Sequence, residues 1–231
     1  MALPANLTYM QVGSLIAAGY DCEIFDAGPG RVVRRSRDGR SLEREAAVMR
    51  HARRHGFPAP EVHDADGADI LMEHVAGPSL LDETARAPGR AAEHGALLAA
   101  LLRQLSAVRA PGWLRAAAGR PGNRLLHLDL HPGNVLVTAD GPRVVDWANA
   151  ARGAPGVDAA CTWLILATAP VAAPSLEDAR ADLLAAFLDG VDPAAARPHL
   201  RAEAARRLAE RDLPDDEQAG IARFLAGEAP P

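Results

Sequence analysis

Five polar side chains stand at spacings that could support chemistry within one apolar stretch of the chain. His127, Asp129, His131 and Asn134 alternate with Leu, Pro, Gly and Val residues, and Asp146 follows an apolar run twelve residues further on. Polar groups set among apolar strands are costly unless something binds them. The pattern therefore indicates a ligand site.

Turn signals predict how this stretch folds. Pro132-Gly133 favours a tight turn, 135–137 an apolar strand, and 139–142 a second turn before the next apolar run. A hairpin of this kind would bring Asn134, at the start of one strand, beside Asp146, at the end of the other.

Phosphoryl transfer needs such groups. A carboxylate must orient and deprotonate the attacking hydroxyl, oxygen ligands must hold Mg²⁺, and a cation must bind the phosphates. Asp129 suits the first role, and Asn134 and Asp146 suit the second. The cation must be Arg, because all 25 basic residues are Arg.

The elements that would position these residues differ between the two ends of the chain. The first third predicts strands around one helix, which begins near Ser41; the strands are at Leu15–Gly19, Cys22–Phe25, Arg31–Arg35, Glu61–His63 and Ile70–Val75. The remainder predicts helices over 90–109, 156–169, 175–189, 193–211 and 214–226. The uncharged stretch 159–176 contains two Pro and predicts a buried helix rather than a membrane span.

Composition narrows the class of partner. The net charge of −5 argues against binding to nucleic acid or an anionic membrane, and two Cys fit a reducing cytoplasm. Twelve acids against seven Arg after residue 176 slightly favour a cationic acceptor. The acids Asp212, Asp215, Asp216 and Glu217 either bind an amine or form a solvated helix start.

The motifs HLDLHPGNVL and VVDW resemble the catalytic and metal-binding loops of the aminoglycoside phosphotransferases and related small-molecule kinases. The segments GRVVRR, LEREAAVMRHARRHGFPAPEV and ILMEHVAGPSL resemble the family's N-terminal lobe in the expected order. The similarity covers roughly residues 15–170. It implies an α+β, bilobal protein-kinase-like fold, with a β-sheet lobe plus one helix over 1–75 and a mainly helical lobe over 76–231.

The resemblance implies a role for each matching residue in catalysis. Asp129 would be the catalytic base, and Asn134 and Asp146 would bind Mg²⁺. His127 and Asp158 would support the catalytic loop.

A second group of residues would hold the nucleotide, ATP or GTP. Gly19 would lie over the phosphates, and Arg34, paired with Glu45, would take the place of the family's phosphate-binding Lys. Strand alternation puts Arg34 and Arg35 on opposite faces, and Arg34 is preferred because Val32 shares its face, although Arg35 stays open. The Glu73 carbonyl and the Val75 amide would meet the base.

The implied activity is transfer of the γ-phosphate to a hydroxyl of a small molecule, an aminoglycoside-like antibiotic among the candidates. The acceptor and the oligomeric state stay open. Arg in place of Lys and a single-Gly loop leave a nucleotide-binding pseudokinase scaffold as an alternative. A weaker alternative is a metal-dependent hydrolase using His127, Asp129 and His131.

Overall fold

A computed structural model describes residues 12–19, 21–117, 121–171, 173–210 and 213–227. The chain forms two compact units. The first comprises Met1–Gly77 and Thr138–Ala148, and the second comprises Pro78–Val137 and Asn149–Pro231. The segment Thr138–Ala148, which the two-lobe prediction assigns to the second lobe, thus belongs to the first unit.

The first unit is built on a five-stranded antiparallel sheet with strand order β1-β2-β3-β5-β4. Its strands are β1 (Leu15–Ala18), β2 (Cys22–Asp26), β3 (Arg31–Ser36), β4 (Val62–Asp66) and β5 (Asp69–Glu73). Alternation along β3 buries Val32 and Val33 on opposite faces, so both faces of this strand are covered. The predicted strands are confirmed, with end shifts of a few residues.

Helix α1 (Glu43–Arg54) follows β3 and buries one apolar face. Acidic residues in its first turn and basic residues in its last turn complement the helix dipole. The N-cap is Leu42 rather than the predicted Ser41, whose hydroxyl accepts a 3.3 Å hydrogen bond from the Glu43 N–H.

Strand β8 (Gly141–Val144) and the residues after it also belong to the first unit. The Val144 N–H donates to the Pro58 carbonyl at 2.8 Å, and Trp147 packs edge-to-face on Phe57 at 5.5 Å. These contacts fix the backbone on both sides of Asp146.

The second unit is mainly helical, as predicted. Its helices are α2 (Leu80–Arg86), α3 (Ala91–Ala107), α4 (Pro155–Thr168), α5 (Glu177–Gly190), α6 (Pro193–Ala196), α7 (Leu200–Leu208) and α8 (Asp215–Ala226). Strands β6 (Arg124–Leu126) and β9 (Ala151–Gly153) pair antiparallel. Strand β7 (Val135–Thr138) leads the chain back to the first unit. The predicted α+β class, with an antiparallel sheet and a helical part, is confirmed.

Helices α3 and α5 approach closely at Gly95. A Cβ atom at Gly95 would lie 2.1 Å from the Leu183 carbonyl oxygen, so a larger residue would force the two helices apart. Helix α4, which contains most of the uncharged stretch, is buried on nearly all sides. Within the described ranges, no helix has both the length and the apolar character needed to cross a membrane.

No helix was predicted at α2, which begins after Gly77-Pro78 with a capping box between Ser79 and Asp82. One helix prediction is wrong in detail. The single helix predicted over 193–211 is divided into α6, a 3-10 turn at Arg197–His199 and α7. Pro198 lies inside that turn, and proline has no N–H to continue an α-helix.

Candidate active site

The loop after β6 places Asp129 on a strained backbone. Leu128, one residue earlier, has φ of +62°, a left-handed conformation that residues other than glycine rarely adopt. The Asp129 side chain is 19% exposed, which leaves its carboxylate partly open to a ligand. Strain of this kind persists only where surrounding contacts impose it, and it concentrates at functional sites.

Asn134 is tied directly to Asp129. The Asn134 Nδ2 donates to the Asp129 carbonyl oxygen at 2.9 Å and to Asp129 Oδ2 at 3.2 Å. Because the amide nitrogen is engaged there, the amide oxygen Oδ1 points away from Asp129. The preceding turn is closed by His131, whose Nδ1 accepts from the Gly133 N–H at 3.1 Å.

Asp158, at the start of α4, forms hydrogen bonds with the backbone of this loop. Its two carboxylate oxygens accept the His127 N–H at 2.9 Å and the Leu128 N–H at 2.7 Å. Complete burial raises the pKa of Asp158 to about 6, although the two N–H donors act in the opposite direction. These hydrogen bonds tie the backbone at His127 and Leu128 to α4, and the support role that the sequence similarity implies for Asp158 stays a prediction.

Three further side chains hold the backbone of the same loop, and sequence reasoning missed all of them. The Cys161 thiol donates to the Leu128 carbonyl at 3.0 Å, and Arg206 donates to that oxygen at 3.2 Å. The Thr162 hydroxyl donates to the Leu130 carbonyl at 2.8 Å. Burial raises the pKa of the Cys161 thiol, which keeps it protonated as a donor. No motif marks these residues, because their function depends on packing between distant helices.

Arg207 on α7 is the fourth residue that sequence reasoning missed. Its Nη1 lies 3.4 Å from Asp129 Oδ1, and its Nε donates to Glu217 Oε1 at 2.5 Å. Arg207 is therefore placed to orient the Asp129 carboxylate.

The two histidines of the motif differ in environment. His127 is completely buried, and its backbone N–H donates to Asp158. His131 is half-buried, with its Nε2 3.9 Å from Asp129 Oδ2. Among the described residues, no three His, Cys, Asp or Glu side chains are placed to hold a metal ion.

The first unit holds the remaining charged residues of the predicted site. Arg34 forms an ion pair with Glu45, and the two side chains are only 11% and 6% exposed. The Arg34 Nη2 also lies 3.4 Å from Asp146 Oδ1. Burial raises the pKa of Glu45, and the attraction of Arg34 opposes that shift. Asp146, which is 45% exposed, has φ of +62°, a second strained position.

Arg35 faces the other side of the sheet. Its guanidinium donates to both oxygens of Asp69, at 2.8 and 2.7 Å, and stacks over Phe25 at 5.5 Å. Arg34, on the side of Glu45 and Asp146, is thus the arginine associated with the predicted site residues. The preference for Arg34 as the phosphate ligand stays a prediction.

Three residues predicted to contact the nucleotide lie at strand ends of the first unit. The Gly19 N–H donates to the Cys22 carbonyl at 2.8 Å in the turn after β1. Glu73 ends β5, where its carboxylate accepts the Glu61 N–H at 2.9 Å. Val75 follows two residues later and is half-buried. Their contacts with a nucleotide stay predictions.

The predicted residues therefore fall into two sets. Asp129 and Asn134 lie together in the second unit with Asp158, and Arg34 lies with Glu45 and Asp146 in the first. The predicted convergence of Asn134 with Asp146 stays a prediction. Asn134 and Asp146 offer the type of ligand that Mg²⁺ prefers, which is oxygen. Asn134 supplies an amide oxygen turned away from Asp129, and Asp146 supplies an exposed carboxylate.

Comparison with known proteins agrees with this architecture. The chain is similar in structure to a thermostable mutant of aminoglycoside phosphotransferase APH(4)-Ia in ternary complex with AMP-PNP and hygromycin B. The match covers 92% of this chain and 91% of that chain, with 17% identity and a TM-score of 0.67. A choline/ethanolamine kinase family protein from Mesorhizobium loti is 19% identical, with coverage of 98% of this chain and 90% of that chain and a TM-score of 0.59. Ethanolamine kinase from Plasmodium vivax is 12% identical, with coverage of 91% and 80% and a TM-score of 0.59.

No curated protein sequence shows significant similarity to the chain. The family model described as "Phosphotransferase enzyme family" (APH) matches residues 14–121 and 112–199, which together make up most of the sequence. The chain belongs to the APH phosphotransferase enzyme family.

Proposed function

We propose that this phosphotransferase moves the γ-phosphate of ATP or GTP to a hydroxyl of a small molecule. The observation that carries the proposal is the Asp129–Asn134 arrangement, in which a partly exposed carboxylate is held by an amide and an arginine on a strained, braced loop. Phosphoryl transfer depends mostly on such positioning and on charge stabilisation.

Asp129 acts as the general base in this mechanism. The acceptor oxygen attacks the γ-phosphorus, the bond from that phosphorus to the β–γ bridging oxygen breaks, and the hydroxyl proton passes to the Asp129 carboxylate. Arg207, whose Nη1 lies 3.4 Å from Asp129 Oδ1, orients that carboxylate. Asp158, Cys161 and Arg206 prevent the loop from relaxing out of its left-handed conformation.

Asn134 and Asp146 would hold Mg²⁺, which when bound neutralises charge on the phosphates. Arg34 has donors to spare for phosphate, because a guanidinium carries five N–H groups and Glu45 and Asp146 engage only part of them. The ion pair with Glu45 fixes the guanidinium in one orientation, so that little side-chain entropy is lost when phosphate binds.

The acceptor candidates come from similar proteins. Complexes of structural relatives carry hygromycin B or streptomycin, and other relatives are ethanolamine or choline/ethanolamine kinases. Phosphorylation of an aminoglycoside in the cytoplasm, where ATP is available, would make the protein an antibiotic-resistance enzyme.

The experiment is an ATP-consumption screen over antibiotics and metabolites, followed by mass spectrometry for the gain of one phosphoryl group. Asp129→Ala should lower turnover by roughly 10²- to 10⁴-fold and leave the Kd for Mg-ATP unchanged, because loss of a general base affects the transfer step. Asp140→Ala, a change at an exposed turn, is the matched control. Unchanged turnover in the Asp129 variant would refute the proposal.

The metal assignment has its own test. Asp146→Ala should weaken Mg-ATP binding by roughly tenfold or more, measured by calorimetry, because a charged oxygen ligand is lost. Equal affinity in this variant would contradict the assignment. Nucleotide binding without turnover of any hydroxyl compound in the wild-type protein would favour the pseudokinase alternative, which the substitution of Lys by Arg motivates.

A further inference from the structure

A large cavity lies within the second unit, next to the catalytic loop. Its volume is about 700 Å³, within the range of small-molecule sites. Most of its wall is apolar and comes from α2, α4, α5 and the segment after α4, including Leu81, Ile165, Leu166, Val171, Leu176 and Leu183. The cavity is therefore large enough for a drug-sized molecule, and the surface that such a molecule would contact is mainly apolar.

The cavity reaches the proposed base through two side chains that line it. Arg207 lies 3.4 Å from Asp129 Oδ1, and the His131 Nε2 lies 3.9 Å from Asp129 Oδ2. A molecule filling the cavity would thus contact His131 and Arg207, the two lining residues next to the carboxylate that must receive the hydroxyl proton.

Most of the charges around the cavity already have partners. Glu217 is paired with Arg207, and Asp82 accepts hydrogen bonds from Ser79 in the cap of α2. Arg180 is paired with Glu177 at 2.7 Å. A polycation entering this cavity would lose hydration without gaining a free carboxylate for each ammonium group.

Part of the acidic excess near the C-terminus is also engaged within the described residues. Glu203 and Glu210 pair with Arg206, and Glu217 pairs with Arg207. Asp216 lines the cavity but is exposed, and Asp212 lies outside the described residues. The charge count of this segment therefore overstates the number of carboxylates that could pair with a cationic acceptor.

We infer that this cavity binds the acceptor, and that the acceptor is an amphiphilic alcohol with an extended apolar body and few charges. The inference rests on the proposed function for the hydroxyl transfer itself. The cavity selects the acceptor by apolar burial, and the hydroxyl-bearing end lies towards Arg207 and Asp129.

The test compares two classes of probe on the full chain. Hexyl, heptyl and octyl β-D-glucosides, below their micelle-forming concentrations, are titrated by calorimetry beside hygromycin B and streptomycin. Each added methylene should lower the Kd about fourfold if it is buried in the cavity. With Mg-ATP present, kcat/KM for glucoside phosphorylation should rise by a similar factor per methylene. An absence of chain-length dependence, or tighter binding of the two aminoglycosides than of octyl glucoside, overturns the inference.

A matched pair of variants tests whether the glucosides bind in this cavity. Leu81 is 56% exposed at the cavity wall, and Leu208 is 40% exposed on α7 outside it, so a charge at either position does not enter a core. Leu81→Glu should weaken octyl glucoside binding by at least about tenfold and strengthen aminoglycoside binding. Leu208→Glu should change neither. Equal effects of the two substitutions would overturn the assignment of this cavity.

Failure of the proposed function would look different. In that case no probe of either class would gain a phosphoryl group, whatever its affinity, and the cavity would lose its role as an acceptor site. Efficient phosphorylation of hygromycin B or streptomycin, with no dependence on alkyl length among the glucosides, would leave the function standing and remove only the inference about the acceptor.

Discussion

Replacing Asp158 by Asn should change how the stability of the protein depends on pH. The buried Asp158 carboxyl has a pKa of about 6 in the folded protein, against 3.8 as its ordinary value. Because the folded state holds this proton more tightly, the group stabilises the fold most below its unfolded pKa. That stabilisation is lost as the pH rises through about 6.

The expected size follows from the two pKa values. A difference of about two pH units, at 1.36 kcal/mol per unit, corresponds to on the order of 3 kcal/mol over the whole window. At pH 5 the protonated form contributes about 1.4 kcal/mol of this, and at pH 8 it contributes essentially nothing. Asn at position 158 cannot titrate, so the variant lacks this component.

The assay is urea unfolding of both proteins between pH 5 and pH 8. The difference in the free energy of unfolding, wild type minus Asp158→Asn, should fall by about 1.4 kcal/mol from pH 5 to pH 8. Titrations common to both chains cancel in this difference. A constant difference, or one that grows with pH, would refute the account of Asp158 as a buried carboxylate whose pKa is raised by desolvation.

Two further predictions concern the packing that supports the site. Arg34→Ala should destabilise the protein by about 3–5 kcal/mol in urea unfolding, because it leaves the buried Glu45 carboxylate without its partner. Arg35→Ala, at a residue 37% exposed, should cost only about 1 kcal/mol, and equal losses would contradict the burial argument. Gly95→Ala should cost about 3 kcal/mol, since its Cβ would lie 2.1 Å from a carbonyl of α5, whereas Gly89→Ala meets nothing within 4 Å and should be near neutral. A destabilised Gly89 variant would show that loss of glycine itself, rather than the close approach, is responsible.

Local features of the structure could be predicted from the sequence, because their causes lie within a few residues. The strands of the first unit and the loop carrying Asp129 and Asn134 depend on apolar periodicity and on turn residues. Helix α2 had a local signal as well, the Ser79–Asp82 capping box, which the neighbouring Gly77-Pro78 obscured. The interruption between α6 and α7 had its signal in Pro198.

The support of the loop could not be predicted in the same way. Cys161 and Thr162 contact backbone atoms more than thirty residues away, and Arg206 and Arg207 reach residues 78 positions away. In the sequence, the two arginines stand in a helix of Ala, Arg and Glu that resembles any solvated helix. Only the packing of α7 beside the loop distinguishes them.

The left-handed residues Leu128 and Asp146 have a consequence for attempts to engineer this protein. Each conformation costs on the order of 1–3 kcal/mol, so glycine at either position would relieve the strain and should be selected in a screen for thermal tolerance. At position 128 such a mutant would lose the stiffness that holds Asp129 in place, and at 146 it would lose a carboxylate. Directed evolution for heat resistance and for turnover should therefore diverge at these two positions.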